Sequence, residues 1–430
     1  MGLHEIALIG IVLLFVLMFL RLPIAFAMFI VGFVGLIVTA SLKAATNVLS
    51  ADLWDQFSSY SLSVIPLYIL MGEVVYRSGI TSKLFDAAYK WIGHIKGGMA
   101  ATTILASAGF ASISGSNSAT AATMATMSLP ELKKYKYNKV LSTGSVATGG
   151  TLGIIIPPST VLIVLALQMQ QSVRELFIAS VIPGVLLTGM LILTVVFICQ
   201  ARPEYGPAGE KYPLKERLLS LLDVIPIFLL FVFIIGGLYL GWFTPTESGA
   251  FGAFGAIVLT LLMRRLTWAK FKDAVAASLR SSIMVLMLVV GAMVFGRFLT
   301  LTRLPHEVAE WINTLGLPAT VIIVCILIIY IIGGSIMDAL GFLIISIPIF
   351  YPTVLMLGFD PVWFAVILTV VTSMGAITPP VGVNVFIVQG IAKEASLVEV
   401  FKGASLFLIA YIIFIALLIM FPEIVLVFIQ

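Results

Sequence analysis

Residues 112–120 read SISGSNSAT, which puts five hydroxyl side chains, one amide and one glycine into nine positions of a chain that is 61% hydrophobic. Hydrocarbon offers no water to such groups. Irregular polar backbone at membrane depth survives only where it is buried in protein or lines a wet cavity. If the surrounding chain spans a membrane, this stretch is a site rather than a linker, and composition says that it does. Of 430 residues only 10% are charged, and the mean hydropathy is +1.17, against roughly 25% charged residues in an ordinary soluble domain. The alternating pattern of an outer-membrane barrel is missing and the apolar runs are too long for its strands. The fold class is therefore an all-α polytopic membrane protein in a lipid bilayer.

The net charge of +4 bears on orientation and gives no reason to invoke nucleic acid. Cys199 and Cys325 both lie in apolar runs, and without a Cys-x-x-Cys pair there is neither a disulfide framework nor a zinc site. The first apolar run, Ile6 to Leu20, lacks a basic start and a small-residue cleavage site, so it reads as a retained span.

With about 20 apolar residues needed per crossing, full spans are expected at 4–20, 24–42, 60–76, 139–167, 174–200, 221–240, 243–263, 280–302, 361–391 and 402–428. Two more apolar stretches, 97–130 and 317–357, are interrupted midway by small polar residues and read as re-entrant hairpins. Amphipathic arm helices at 82–95 and 304–315 precede them and lie at the interface. This layout sends 20 of the 24 basic residues to one side, leaving Lys43, Arg174, Arg297 and Arg303 on the other. By the positive-inside rule the rich side is cytoplasmic. Both termini then face the periplasm, hairpin 97–130 opens from the cytoplasm, and hairpin 317–357 opens from the opposite side.

The chain also repeats itself. Arg77 precedes Trp91 by 14 residues, as Arg297 precedes Trp311. Gly115-Ser116 follows Trp91 by 24 residues, and Gly334-Ser335 follows Trp311 by 23. Each hairpin then ends in Ser-Leu-Pro or Ser-Ile-Pro, at Pro130 and Pro348. Pro157-Pro158 and Pro379-Pro380 lie 66 and 68 residues past the two tryptophans. With five crossings per half, an odd number, the second half is inverted. The organisation is a first repeat over 1–200, a cytoplasmic linker over 201–220 with no further role assigned, and a second repeat over 221–430.

Each half has two interruptions: Ser112 to Thr120 with Thr148 to Thr160, and Gly333 to Gly341 with Thr372 to Asn384. A Pro-Pro pair removes two backbone donors and disfavours helix at the residue before it, leaving carbonyls unpartnered one turn earlier. Alone, such a pair is a kink. Twice, at equivalent positions and beside small polar residues, it makes a site whose oxygens suit sodium and whose half-helix N-termini suit an anion. Asp338 is the one acidic residue at membrane depth in either hairpin, and it reads as an ion ligand that also caps a helix. Asn384 and Asn117 face the breaks from the adjoining half-helices. Glu73 and Glu247 lie near span ends, where they reach water.

Enzymatic readings find no support. His4, His94 and His306 form no cluster with carboxylates or thiols. The GSNS at 115–118 follows no strand, as a nucleophile elbow requires, and no P-loop is present. Secondary transport is the economical account.

The runs SGSNSATAATM (114–124), TGGTLGIIIPPS (148–159), GGSIMDALG (333–341) and GAITPPVGVN (375–384) together resemble the large membrane subunit of TRAP transporters, the tripartite ATP-independent periplasmic carriers, over essentially the whole chain. The resemblance implies two inverted repeats and an elevator mechanism. It also implies import of an organic anion driven by sodium, with a small four-helix membrane subunit and a periplasmic binding protein as partners. The chain opens directly on the large subunit's own pattern, so the small subunit is expected as a separate protein. One sodium site is implied at Ser114, Ser116, Asn117, Gly150, Gly153, Ile156 and Pro158, and a second at Gly334, Asp338, Thr372, Gly375 and Thr378. Substrate is implied at Ser116, Thr120, Ser159 and Thr160, and Asn384 joins them from its place after the second break. Many relatives carry an aspartate where Thr120 stands. Loss of that carboxylate and gain of hydroxyls suits a more strongly anionic or smaller ligand. The expected function is a sodium-coupled importer of a dicarboxylate, sugar acid or sulfonate in a bacterial inner membrane, with no cofactor beyond sodium. A stand-alone symporter and an anion channel remain as alternatives.

Overall fold

The computed structural model describes residues 2–429, and among them the only regular elements are helices. The architecture is the expected one: two inverted-topology repeats, each with a re-entrant hairpin and a broken helix. The first hairpin is Gly98–Ser114 and Asn117–Lys134; the second is Ala319–Ile336 and Ala339–Met356. The first broken helix runs Lys139–Gly150, then a 3-10 turn Thr151–Ile154, then Thr160–Gln168. The second runs Pro361–Gly375, then Val383–Ile391. The arm helices are Thr81–Ile92 and Leu304–Thr314.

Packing divides the helices into two groups. In one, Ile24–Thr39 lies along Trp268–Leu301, and Val64–Arg77 lies along Pro245–Leu262. In the other, the hairpins and broken helices pack on each other and on Val173–Ala201 and Leu397–Met420. Between the groups Val64–Arg77 touches the first hairpin, where Gly72 sits under the Ile113 carbonyl. Lipid supplies no hydrophobic drive for helix association, so small residues at the crossings do the work by close approach. Gly403 of Leu397–Met420 meets Gly144 of Lys139–Gly150, and a Cβ on Gly403 would lie 2.8 Å from the Gly144 nitrogen and against the Val140 carbonyl. Replacing Gly403 with leucine is therefore expected to cost about 1–3 kcal/mol by overpacking. The chain should accumulate poorly in membranes and unfold several degrees earlier in detergent; an unshifted thermal transition would contradict this account of the crossing.

Several expectations need correction. Leu42–Ser58 is helical though no span was expected there, because Lys43, Asn47, Asp52, Asp55 and Gln56 make it too polar to read as one. Ser41 caps it, and Asp52 is held by Arg297 through bonds of 3.0 and 2.8 Å. The span expected at 280–302 begins at Trp268 and is 34 residues long. At 1.5 Å per residue it is roughly 50 Å, well beyond a hydrocarbon core of about 30 Å, so its charged first turns project from the core. The last span stops at Met420, since Pro422 disfavours helix at Phe421 (φ −131, ψ 75). Conversely, the helices run straight through Pro130 and Pro348.

The linker is not loose. It contains the helix Leu214–Leu222, and its backbone docks on the first hairpin's base. Gly97 donates to the Gly206 carbonyl at 3.0 Å, Asn138 to that of Tyr205 at 3.0 Å, and the Tyr137 hydroxyl to that of Pro207 at 2.7 Å. Trp91 on the arm donates its indole N–H to the Arg217 carbonyl at 3.1 Å. Near the same end, the Lys133 ammonium bonds Glu394 at 2.6 Å and holds that carboxylate below its ordinary range. Among the described residues, six helices are long and apolar enough to cross a membrane, or up to eight with each of two bent pairs taken as one span. Leu3–Phe19 and Ile24–Thr39 are apolar but shorter, and each broken helix is divided.

Candidate functional site

The first hairpin turns at Gly115, whose φ of +59 is left-handed and suits a residue without Cβ. The turn lies in the gap of the first broken helix. The Gly115 carbonyl accepts the Thr160 hydroxyl at 2.9 Å and the Thr160 N–H at 3.4 Å, pinning the tip to the start of the second half-helix. On the other flank Gly153 lies against the Ser116 carbonyl and 2.8 Å (as a built Cβ) from the Asn117 nitrogen. Gly150 packs against Ala121. Ser116 caps Asn117–Lys134 and Ser159 caps Thr160–Gln168, each hydroxyl accepting a backbone N–H at 3.4 Å. The peptides Pro157–Pro158 and Pro379–Pro380 are both cis.

The second half repeats this docking. The Ser335 carbonyl accepts the N–H groups of Val381 (3.1 Å) and Gly382 (2.9 Å) from beyond the second break. Gly334 and Gly375 bring the hairpin and the broken helix into backbone contact beside Thr372. Asp338 caps Ala339–Met356, accepting the Leu340 N–H at 3.1 Å. The two breaks also meet one another. Asn384 donates to the Ala147 carbonyl at 3.2 Å and Ser373 to that of Thr151 at 3.1 Å, while Thr151 and Tyr411 share a hydroxyl hydrogen bond.

Both hairpin tips open on one cavity of about 350 Å³. Ser114, Ser116, Asn117 and Thr160 line it from the first repeat, and Asp338, Ala339 and Leu340 from the second. Val64–Arg77 closes it with Glu73 and Tyr76, and the long helix Trp268–Leu301 with Ser281 and Met284. The cavity thus lies at the seam between the two packed groups. Three helices, starting at Asn117, Thr160 and Ala339, present their N-terminal residues to it. No lysine or arginine is among its lining residues. A carboxylate or sulfonate there meets backbone N–H groups, hydroxyls and the positive ends of helix dipoles.

The residues expected at the site fall into four groups. Ser114, Ser116, Asn117, Thr160 and Asp338 line the cavity. Thr120, Ser159 and Asn384 are wholly buried behind it, with Thr120 bonded to the Ser116 carbonyl at 2.8 Å and the Ser114 hydroxyl at 2.7 Å. Gly150 and Gly153 line the tip's bed, as do Gly334, Thr372 and Gly375 for the second tip. Pro158 presents its carbonyl to Gly115, whereas Ile156 packs against Gly184, and Thr378 donates to Met374 at 2.7 Å. Three buried oxygens near the breaks have no hydrogen-bond partner: the Asn117 and Asn384 side-chain carbonyls and the Thr148 hydroxyl. Such orphans, all oxygen, fit a hard cation. Sequence reading missed the cavity wall of Glu73, Tyr76, Thr123 and Ser281. The one signal was Glu73, an acid inside an apolar run. Glu247, by contrast, is exposed in a capping box with Thr244.

Residues 11–424 match the family model described as the tripartite ATP-independent periplasmic transporter, DctM component. The chain is 35% identical over 344 residues to the C4-dicarboxylate TRAP transporter large permease protein DctM of Pseudomonas aeruginosa, covering 80% of each. It is 31% identical over 379 residues to the isethionate TRAP transporter permease protein DctMQ of Oleidesulfovibrio alaskensis, covering 86% of this chain and 60% of that one. In fold it is similar to the YdaH transporter of Alcanivorax borkumensis, with a TM-score of 0.62 at 14% identity over 88% of this chain and 89% of that one.

Proposed function

Because the chain belongs to the DctM family of TRAP large permeases, we propose that it is the translocating subunit of a sodium-coupled importer of a small organic anion. The observation that carries the reading is the shared cavity: three helix N-termini converge on it and no basic side chain lines it. A site built this way holds an anion by dipoles and hydroxyls, at low enough affinity to release it. Sodium at each break, on the orphaned oxygens and on Asp338, stabilises the unwound backbone and offsets the anion's charge. The anion is a dicarboxylate, a sugar acid or a sulfonate; two relatives are named for C4-dicarboxylate and for isethionate.

The repeats 1–200 and 221–430, joined by 201–220, each give helices to a scaffold and to a moving body of hairpins and broken helices. That body carries the cavity across as an elevator, with the arm helices at its hinge. The setting is a bacterial inner membrane with both termini periplasmic, supported by the distribution of lysine and arginine. A small four-helix subunit and a periplasmic binding protein complete the system. The test is uptake of labelled succinate and isethionate into proteoliposomes holding this chain, the small subunit and the binding protein. Saturable uptake that needs an inward sodium gradient and all three proteins is expected. Uptake by this chain alone would favour a stand-alone symporter, and weakly saturating flux indifferent to sodium would favour an anion channel.

A further inference from the structure

The tip cavity adjoins a second one of about 420 Å³, and Tyr76 and Thr123 line both. Beyond them the second cavity is lined by Arg77, Thr126, Lys270 and Asp273. The sign of the lining changes at this step. The titratable carboxylates of the tip cavity are Glu73 and Asp338, with no cation among its lining residues. The second cavity brings in the first two cations, Arg77 and Lys270. Neither stands unopposed. Arg77 Nε lies 3.2 Å from Glu73 Oε2, with the two side chains 30% and 25% exposed, and Asp273 shares the cavity with Lys270. The rings of Tyr76 and Phe110, 5.9 Å apart, both line the tip cavity and bridge Val64–Arg77 to the first hairpin.

We infer that the Arg77–Glu73 pair is a release station for the transported anion, a partner-exchanging contact on its way from the tip cavity to the basic side of the protein. The inference rests on the anion cargo and the orientation proposed above. An unpaired guanidinium in a half-buried passage would hold a carboxylate or sulfonate bidentately and retain it. A guanidinium already held by Glu73 accepts the anion only by giving up a partner of like charge. The anion is thereby drawn past the acidic wall of the tip cavity and still leaves. Glu73 lies on both sides of this exchange, since it lines the tip cavity and also bonds Arg77.

The test needs no knowledge of the cargo. In a chain with Cys199 and Cys325 replaced, Thr123→Cys is labelled in inside-out membrane vesicles with an anionic methanethiosulfonate (ethylsulfonate) and a cationic one (ethyltrimethylammonium). The ratio of anionic to cationic rate reads the field in the passage. Arg77→Gln is expected to lower that ratio about tenfold and Glu73→Gln to raise it by a similar factor. The double variant, which removes one charge of each sign, should return the ratio to near the wild-type value, and Arg77→Lys should keep most of the ratio. Thr126→Cys, which lines the outer cavity and not the tip cavity, gives the same readout should Thr123→Cys fail to assemble. Ratios that do not move, that move in the same direction for both single variants, or labelling only from the opposite face would overturn the inference. The transport reading fails differently: wild-type complex without sodium-driven uptake of succinate or isethionate would remove it, whatever the labelling ratios.

Discussion

Asp338→Asn is expected to abolish the sodium dependence of uptake while leaving the protein folded. The two halves of this expectation come from separate roles of one carboxylate. As a cap, Asp338 accepts the Leu340 N–H at 3.1 Å and starts the helix Ala339–Met356. Asparagine caps a helix about as well as aspartate, so the hairpin should keep its shape and detergent stability should change little. As a charge, the carboxylate has no basic partner among the ion pairs found, and it faces the cavity shared by both tips. A unit charge about 4 Å from a cation is worth on the order of 4 kcal/mol at an effective dielectric near 20. At about 1.4 kcal/mol per decade that is roughly a thousandfold in ion affinity. In proteoliposomes the variant should therefore show at most residual uptake, unresponsive to the sodium gradient. A wild-type sodium half-saturation in the variant would reduce Asp338 to a cap and return the ion-site proposal to the orphaned oxygens alone.

The sequence disclosed most where chemistry conflicts with the solvent. Serines and a lone aspartate inside hydrocarbon have few permissible explanations, so both hairpin tips are legible in the sequence. The paired prolines likewise marked both breaks. Elements whose character depends on a partner stayed hidden. Leu42–Ser58 looks like a polar loop until Arg297, 245 positions away, is seen to hold Asp52. Trp268 to Ser278 looks like a loop because charges on the first turns of an overlong helix resemble a span boundary. Glu73 reads in the sequence as an end residue. It becomes part of the cavity because Gly72 lets the Ile113 carbonyl approach, and only tertiary packing brings those two residues together. Thr120 shows the limit from the other side. The family resemblance implies substrate contact there, and in the structure its hydroxyl bonds the Ser116 carbonyl and the Ser114 hydroxyl, within the hairpin itself. There it braces the tip from behind.

Gly153→Ala should stop transport, although it adds one methyl group. At this position the first hairpin tip and the first broken helix meet backbone to backbone. A Cβ on residue 153 would lie against the Ser116 carbonyl oxygen, 2.5 Å from its carbon and 2.8 Å from the Asn117 nitrogen. Those atoms are main chain at the start of a capped helix, so no flexible side chain can swing aside. The tip must back away from the break. Overpacking of this kind costs about 1–3 kcal/mol, modest for the whole protein but concentrated on the atoms that shape the cavity. Ser116 and Asn117 would shift relative to Thr160, and with them one of the three helix N-termini that face the cavity. Uptake should fall by about a hundredfold, as misplacing groups by an ångström does elsewhere, while the thermal transition in detergent drops by only a few degrees. Gly189→Ala is the control, because nothing lies within 4 Å of its added Cβ and both measurements should stay at wild type. Full uptake by Gly153→Ala would mean that the tip does not need to lie in the break. The paired-site geometry, with Gly334 on Thr372 as its counterpart, would then be packing alone.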